Sequence, residues 1–162
     1  MKASAGLSAA ALFVVGTTSL AAWHTQAAPP TSRTLRDGIY TSTQANRGAS
    51  LYNQYCASCH MPDLLGNPTH PPGPPATATF TGVRSGSPPL RGAQFISNWT
   101  GLTLKDLFTR NRVSMPQGTP GSLSRQQNAD ILAFILAQNE YPAGPDELSP
   151  FDAPLDEVRI LQ

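Results

Sequence analysis

Both cysteines of the 162-residue chain fall in one stretch, Tyr55-Cys56-Ala57-Ser58-Cys59-His60, with two residues between them and a histidine directly behind. A Cys-x-x-Cys pair alone permits three chemistries: a redox-active dithiol, half of a zinc site, or a covalent anchor. The surroundings separate them. A zinc site needs four ligands, and beyond these three only His24, His70 and scattered carboxylates are available. A thioredoxin-like dithiol expects a βαβ setting, whereas the periodicity ahead of the motif is helical. Cys-x-x-Cys-His is the attachment signature of c-type haem, in which the thiols add across two vinyl groups and the imidazole binds the iron. Cys56 and Cys59 are therefore expected to form thioethers, and His60 to be the proximal iron ligand of one covalent haem c.

One axial ligand leaves the other face of the iron open, and the sequence offers Met115 in Val-Ser-Met-Pro-Gln-Gly. Thioether sulfur partners histidine in cytochromes and raises the reduction potential. Met115 follows a helical pattern, precedes a proline and lies outside any apolar face, where a core methionine would sit. Met61 is bonded to His60 and cannot reach the opposite face of the ring; His70 is a weaker distal candidate.

The start of the chain has a different character. Lys2 is followed by an apolar or small run from Ala9 to Ala22 and by the small residues of His-Thr-Gln-Ala-Ala-Pro-Pro, the layout of a secretory signal. The run is shorter than the roughly 20 residues that span a bilayer, so residues 1–27 are expected to be a cleaved signal peptide, with Ala27 or Ala28 last. That places the mature chain in the periplasm, with no stable membrane insertion. In an oxidising compartment two thiols would pair or be consumed, and thioether formation is one way to consume them.

Residues 28–40 are polar, proline-led and aperiodic, and predict an extended surface arm. Thr41 with Gln44 reads as a capping box, and Ala45, Gly48, Tyr52 and Tyr55 mark one face of a helix running into Cys56. From Met61 to Pro89 the pattern gives way to a loop carrying eight of the chain's 16 prolines, a length that makes sense if the loop lies against a cofactor. A short helix is predicted over Ala93–Trp99. Another follows Thr103 and Asp106 and ends before Pro116; a last one opens at Ser124 with Gln127 and closes at Pro142 and Gly144. Leu90, Phe95, Phe108, Ile131 and Ile135 are the apolar residues expected around the cofactor. No strand pattern stands out, so the fold class is all-α, with about three to five helices around one haem.

The domain reading is then an arm over 28–40, a core domain over 41–143, and a tail over 144–162. Charge is divided: residues 28–139 hold nine Lys or Arg against four acids, and residues 140–162 hold six acids against Arg159 alone. No strongly basic surface exists, so nucleic acid is not an expected partner. The acidic tail reads as a solvated strap folded back on the body.

These motifs together resemble class I cytochromes c over roughly Thr41 to Pro142. Gly48, Tyr52 and Phe134 correspond to the residues at which the family's first and last helices cross. Pro-Pro-Leu-Arg-Gly, residues 88–92, resembles the segment whose proline carbonyl accepts a hydrogen bond from the proximal histidine. Ser87 stands where glycine is usual and a second proline follows, so Pro88 and Pro89 both stay open for that role. Trp99 resembles the tryptophan that donates to a haem propionate, with plain packing as its alternative. Met61 departs from the glycine many members carry after the histidine. Residues 91–108 and 129–148 resemble more narrowly the cytochromes accompanying periplasmic quinoprotein dehydrogenases. The resemblance implies a monomeric one-electron carrier rather than an enzyme, with a pyrroloquinoline quinone-dependent dehydrogenase as donor and a terminal oxidase of the respiratory chain as acceptor. The alternatives are a haem subunit fixed in a dehydrogenase complex, or a ligand-binding or catalytic haem protein with an open distal site.

Overall fold

A computed structural model of the chain describes residues 32–68 and 86–161. The expected signal segment, His70 and the middle of the proline-rich loop lie outside the described residues. Within them, strand β1 (Arg33–Thr34) and a single 3-10 turn (Leu35–Asp37) precede helices α1 (Ser42–Tyr55) and α2 (Ala57–His60). Then follow α3 (Ala93–Trp99), α4 (Leu104–Ser114), α5 (Arg125–Gln138), α6 (Asp152–Asp156) and strand β2 (Val158–Arg159). The all-α reading holds. The helices among the described residues exceed the expected number because α2 and α6, of 4 and 5 residues, are too short to show a period.

The fold is organised on the crossing of α1 and α5, the most extensive helix pair. A Cβ on Gly48 would stand 1.8 Å from the carbonyl oxygen of Asp130, so only glycine lets the two backbones approach this closely. The rings of Tyr52 and Phe134 pack in the same crossing, with centroids 5.2 Å apart and planes tilted by 47°. Tyr52, Leu104, Phe108, Ile131, Leu132 and Leu136 are wholly buried around it.

Helix starts follow the local chemistry. Thr103 and Asp106 cap α4 reciprocally, as do Ser124 and Gln127 on α5, each pair satisfying amide groups that a helix start leaves without partners. At α1 only half of the expected box forms. The Thr41 hydroxyl accepts the Gln44 amide at 3.1 Å, but the Gln44 side chain is turned away from the helix start. Its Nε2 donates to the Leu148 carbonyl at 3.1 Å and its Oε1 accepts the Leu148 amide at 2.6 Å.

The last helix ends earlier than Pro142 and Gly144 suggested. Glu140 adopts a left-handed φ of 60°, and the amides of Tyr141 and Glu140 donate back to Leu136 and Ala137 at 3.2 and 3.1 Å. That is a Schellman stop with glutamate where glycine is commonest. Gly144 instead serves a close approach: its amide donates to Tyr40 at 2.7 Å, and a Cβ there would lie 1.8 Å from the Gly38 carbonyl oxygen.

Two further expectations are corrected. The segment before α1 is not a surface arm, since Leu35, Ile39 and Tyr40 are buried. The tail is a strap, but not a merely solvated one. Glu147, Asp152 and Asp156 face Arg47, Arg125 and Lys105 across ion pairs, while Leu148, Leu155, Val158 and Ile160 enter the core. Strands β1 and β2, absent from the sequence reading, pair in parallel as Arg33 with Val158 and Thr34 with Arg159. The apolar residues of both segments join the one buried core, but they stand singly among polar residues, so neither segment showed an amphipathic period.

Candidate haem site

Helix α1 delivers the cysteine motif. Its last turn closes with the Cys56 amide donating to the Tyr52 carbonyl at 2.8 Å, and Cys56 then leaves helical geometry at φ −122° and ψ −36°. A second, one-turn helix restarts at once: the Cys56 carbonyl accepts the amides of Cys59 and His60 at 3.1 and 2.9 Å. Both cysteines and the histidine thus sit on one tight turn, with Cys56 and His60 buried and Cys59 partly so. No disulfide joins the cysteines. Burial, and secondarily the nearness of Cys59, push the Cys56 thiol up to about 11. Among the described residues no three His, Cys, Asp or Glu side chains gather into a metal site.

His60 Nδ1 lies 2.8 Å from the Pro88 carbonyl oxygen. A carbonyl oxygen can only accept, so the hydrogen sits on Nδ1 and the lone pair of the neutral ring is on Nε2. That is the tautomer an iron-binding imidazole needs. Of the two prolines left open, it is Pro88 whose carbonyl meets the ring. The donor set therefore fits a covalently held haem: two thiols and one oriented imidazole on a single turn.

The turn is closed from outside. The Gly66 amide donates to the His60 carbonyl at 3.1 Å, and that of Leu64 to the Met61 carbonyl at 3.1 Å. The Tyr52 hydroxyl donates to the same Met61 carbonyl at 2.7 Å, and burial raises the Tyr52 pKa, ahead of the influence of Cys56 and Asp63. Met61 takes φ 65° and ψ 151°, a conformation at which glycine is usual.

Met115 is the C-cap residue of α4, half-buried, with its amide donating to Asn111 at 3.0 Å and its carbonyl accepting from Gly121 at 3.4 Å. Both main-chain groups of this residue are thereby pinned. Trp99 is buried at the last position of α3. Of the apolar residues expected around the cofactor, Phe95, Phe108, Ile131 and Ile135 are buried and Leu90 is partly so.

A residue that the sequence reading passed over holds the Pro88 segment. Asn139, the C-cap of α5, donates from Nδ2 to the Leu90 carbonyl at 2.9 Å and accepts the Gly92 amide on Oδ1 at 3.0 Å. Its position just past the last periodic residue was a signal for a helix end.

The family model described as "Cytochrome C oxidase, cbb3-type, subunit III" matches residues 43–135. No curated protein and no solved structure matches the chain.

Proposed function

The chain belongs to this family of c-type cytochrome domains, whose cofactor is a covalently bound haem c with its iron, and from that premise we propose that it is a one-electron carrier with His60 and Met115 as axial ligands. The single observation carrying the proximal half is the 2.8 Å contact between His60 Nδ1 and the Pro88 carbonyl. In this reading Cys56 and Cys59 anchor the group, and Pro88 fixes the tautomer and raises the basicity of His60. Met115 supplies a thioether from a backbone pinned at both ends, and Trp99 donates its indole N–H to a propionate. Bound there, haem c supplies a one-electron ferric–ferrous couple. The protein's share is to keep the group attached in both states and to surround it with Phe95, Phe108, Ile131 and Ile135.

Family membership supports electron transfer over catalysis, and among the described residues no helix is long and apolar enough to cross a membrane. The signal-like residues 1–27 support a periplasmic location. Met61 and Leu65, just after His60, are exposed apolar side chains suited to the small interface of a brief redox encounter. The narrower likeness noted above makes a periplasmic quinoprotein dehydrogenase the proposed donor and a terminal oxidase of the respiratory chain the proposed acceptor.

The testing experiment is the visible and near-infrared spectrum of the oxidised protein, of Met115→Ala, and of both after reduction under carbon monoxide. A far-red sulfur-to-iron band in the parent that vanishes in the variant, with carbon monoxide bound only by the variant, is the expected result. A parent that lacks the band and binds carbon monoxide readily has an open distal site, and the carrier reading fails. Reduction of the protein by a purified periplasmic quinoprotein dehydrogenase tests the donor separately.

A further inference from the structure

The acceptor that orients His60 belongs to a segment with little means of holding itself. Pro88 and Pro89 are consecutive prolines, so neither has an amide N–H to donate. The carbonyl of Pro88 must therefore be positioned from the flanks. On one side Ser87 and Asn67 exchange amide-to-carbonyl bonds at 3.0 and 2.9 Å; on the other the Leu90 amide donates to Leu64 at 2.8 Å. Asn139 completes the second flank, with its amide group clasping the Leu90 carbonyl and the Gly92 amide and its Nδ2 also donating to Ile135 in its own helix at 2.8 Å.

We propose that Asn139 is a positioning residue for the proximal ligand: it ties the C-terminal end of α5 to residues 90–92 and so sets the strength of the Pro88–His60 hydrogen bond, and with it the reduction potential. The proposal rests on His60 being the iron ligand. A stronger bond at Nδ1 gives the imidazole more imidazolate character and favours ferric iron. Loosening residues 88–92 weakens that bond and shifts the couple toward ferrous. The same helix carries an internal comparison. Asn128 is fully buried and donates from Nδ2 to Leu123 and Ser124 at 3.2 and 2.8 Å, while its Oδ1 accepts from Asn111 at 3.0 Å. It makes no bond to the Pro88 segment.

The test uses the haem-loaded protein with labelled histidine, as parent, Asn139→Ala, Asn139→Asp and Asn128→Ala. Aspartate is nearly isosteric and keeps an acceptor for Gly92 but loses both donors, so it carries the test if the alanine variant does not mature. Two quantities are read: solvent exchange of the His60 Nδ1 hydrogen in the ferrous protein, and the midpoint potential. Both Asn139 variants are expected to exchange about tenfold faster; Asn139→Ala, which adds no charge, is also expected to favour the ferrous form by about threefold, or about 28 mV for one electron, whereas the carboxylate of Asn139→Asp by itself favours ferric iron, so that variant is read by exchange alone. Asn128→Ala is expected to leave the Nδ1 exchange at the parent rate. Parent-like exchange in the Asn139 variants, or a parent-like potential in Asn139→Ala, would reduce Asn139 to a helix cap, and equal acceleration in Asn128→Ala would reduce the effect to general loosening; either overturns the inference. If the ferrous parent lacks ring-current-shifted His60 protons, His60 is not the ligand, and that earlier reading falls and takes this one with it.

Discussion

The side-chain amide of Gln44 pairs with both main-chain polar groups of Leu148, at 3.1 and 2.6 Å, and both residues are buried. The pair mimics one rung of an antiparallel ladder between a helix and the tail, 104 residues apart. Gln44→Met preserves length and apolar packing but strands a buried N–H and a buried C=O. It is expected to cost about 3 kcal/mol, read as a lowered denaturant midpoint with an unchanged slope. A midpoint equal to the parent's would mean that water reaches Leu148.

At the crossing of α1 and α5, Gly48→Ala places a methyl 1.8 Å from the Asp130 carbonyl oxygen. Backbone cannot yield as a flexible side chain does, so the helices must separate. A loss of about 3 kcal/mol is expected, with disturbed Tyr52–Phe134 packing visible in the near-ultraviolet circular dichroism. A fully stable variant with parent-like aromatic signals would contradict the close approach.

Met61 occupies a conformation suited to glycine, with φ 65° and ψ 151°. Met61→Gly relieves that strain while adding backbone entropy to the unfolded chain. The net expectation is a gain of about 1 kcal/mol, seen as a higher thermal midpoint. The Soret and visible bands are expected not to move, since the substitution acts on backbone freedom and not on ligation. A lowered midpoint would show that the side chain's own contacts outweigh the strain.

The tail's ion pairs carry a pH signature. The Arg47 guanidinium holds Glu147 below the usual carboxylate range, and that of Arg125 does the same for Asp152. Because the folded-state values are depressed, the stabilisation is present above the unfolded carboxylate range, about pH 4, and is lost as pH falls through the folded values. These groups are exposed and screened by salt, so the effect is local, not global. Amide protection factors of Ile160 and Leu148 are expected to hold from about pH 5 to 8 and to fall by about pH 3, with a smaller fall at high salt, where the pairs are already screened. Unchanged protection in acid would show that the buried apolar residues alone retain the tail.

Much of the fold was legible because local chemistry announces it. Thr103 with Asp106, and Ser124 with Gln127, are short-range pairs whose bonding depends only on neighbours, and both formed. The Ala93–Trp99 helix and the crossing residues Gly48, Tyr52 and Phe134 were likewise readable from spacing and likeness. Gln44 shows where such reading stops: the residue suits a capping box, but a buried backbone rung on a distant segment offers it two bonds instead of one. Leu148, Leu155, Val158 and Ile160 stand singly among acids and prolines and have no period, so only tertiary contact reveals them as core. In the site, the cysteine motif was legible because covalent chemistry dictates its spacing. The choice of Pro88 over Pro89 depends on where the chain runs in space, and Asn139 acts through segments 47 to 49 residues distant in sequence.

The pairing of β1 with β2 also has a mechanical side. The strands are parallel, with Arg33 beside Val158 and Thr34 beside Arg159. Tension entering at residue 33 and leaving at residue 159 pulls the two strands in opposite directions along their length. It loads the cross-strand hydrogen bonds together, as in shear, rather than opening them one after another as in a zip. Load applied across residues 33 and 159 would thus meet this clasp before the helices that carry the cysteine motif.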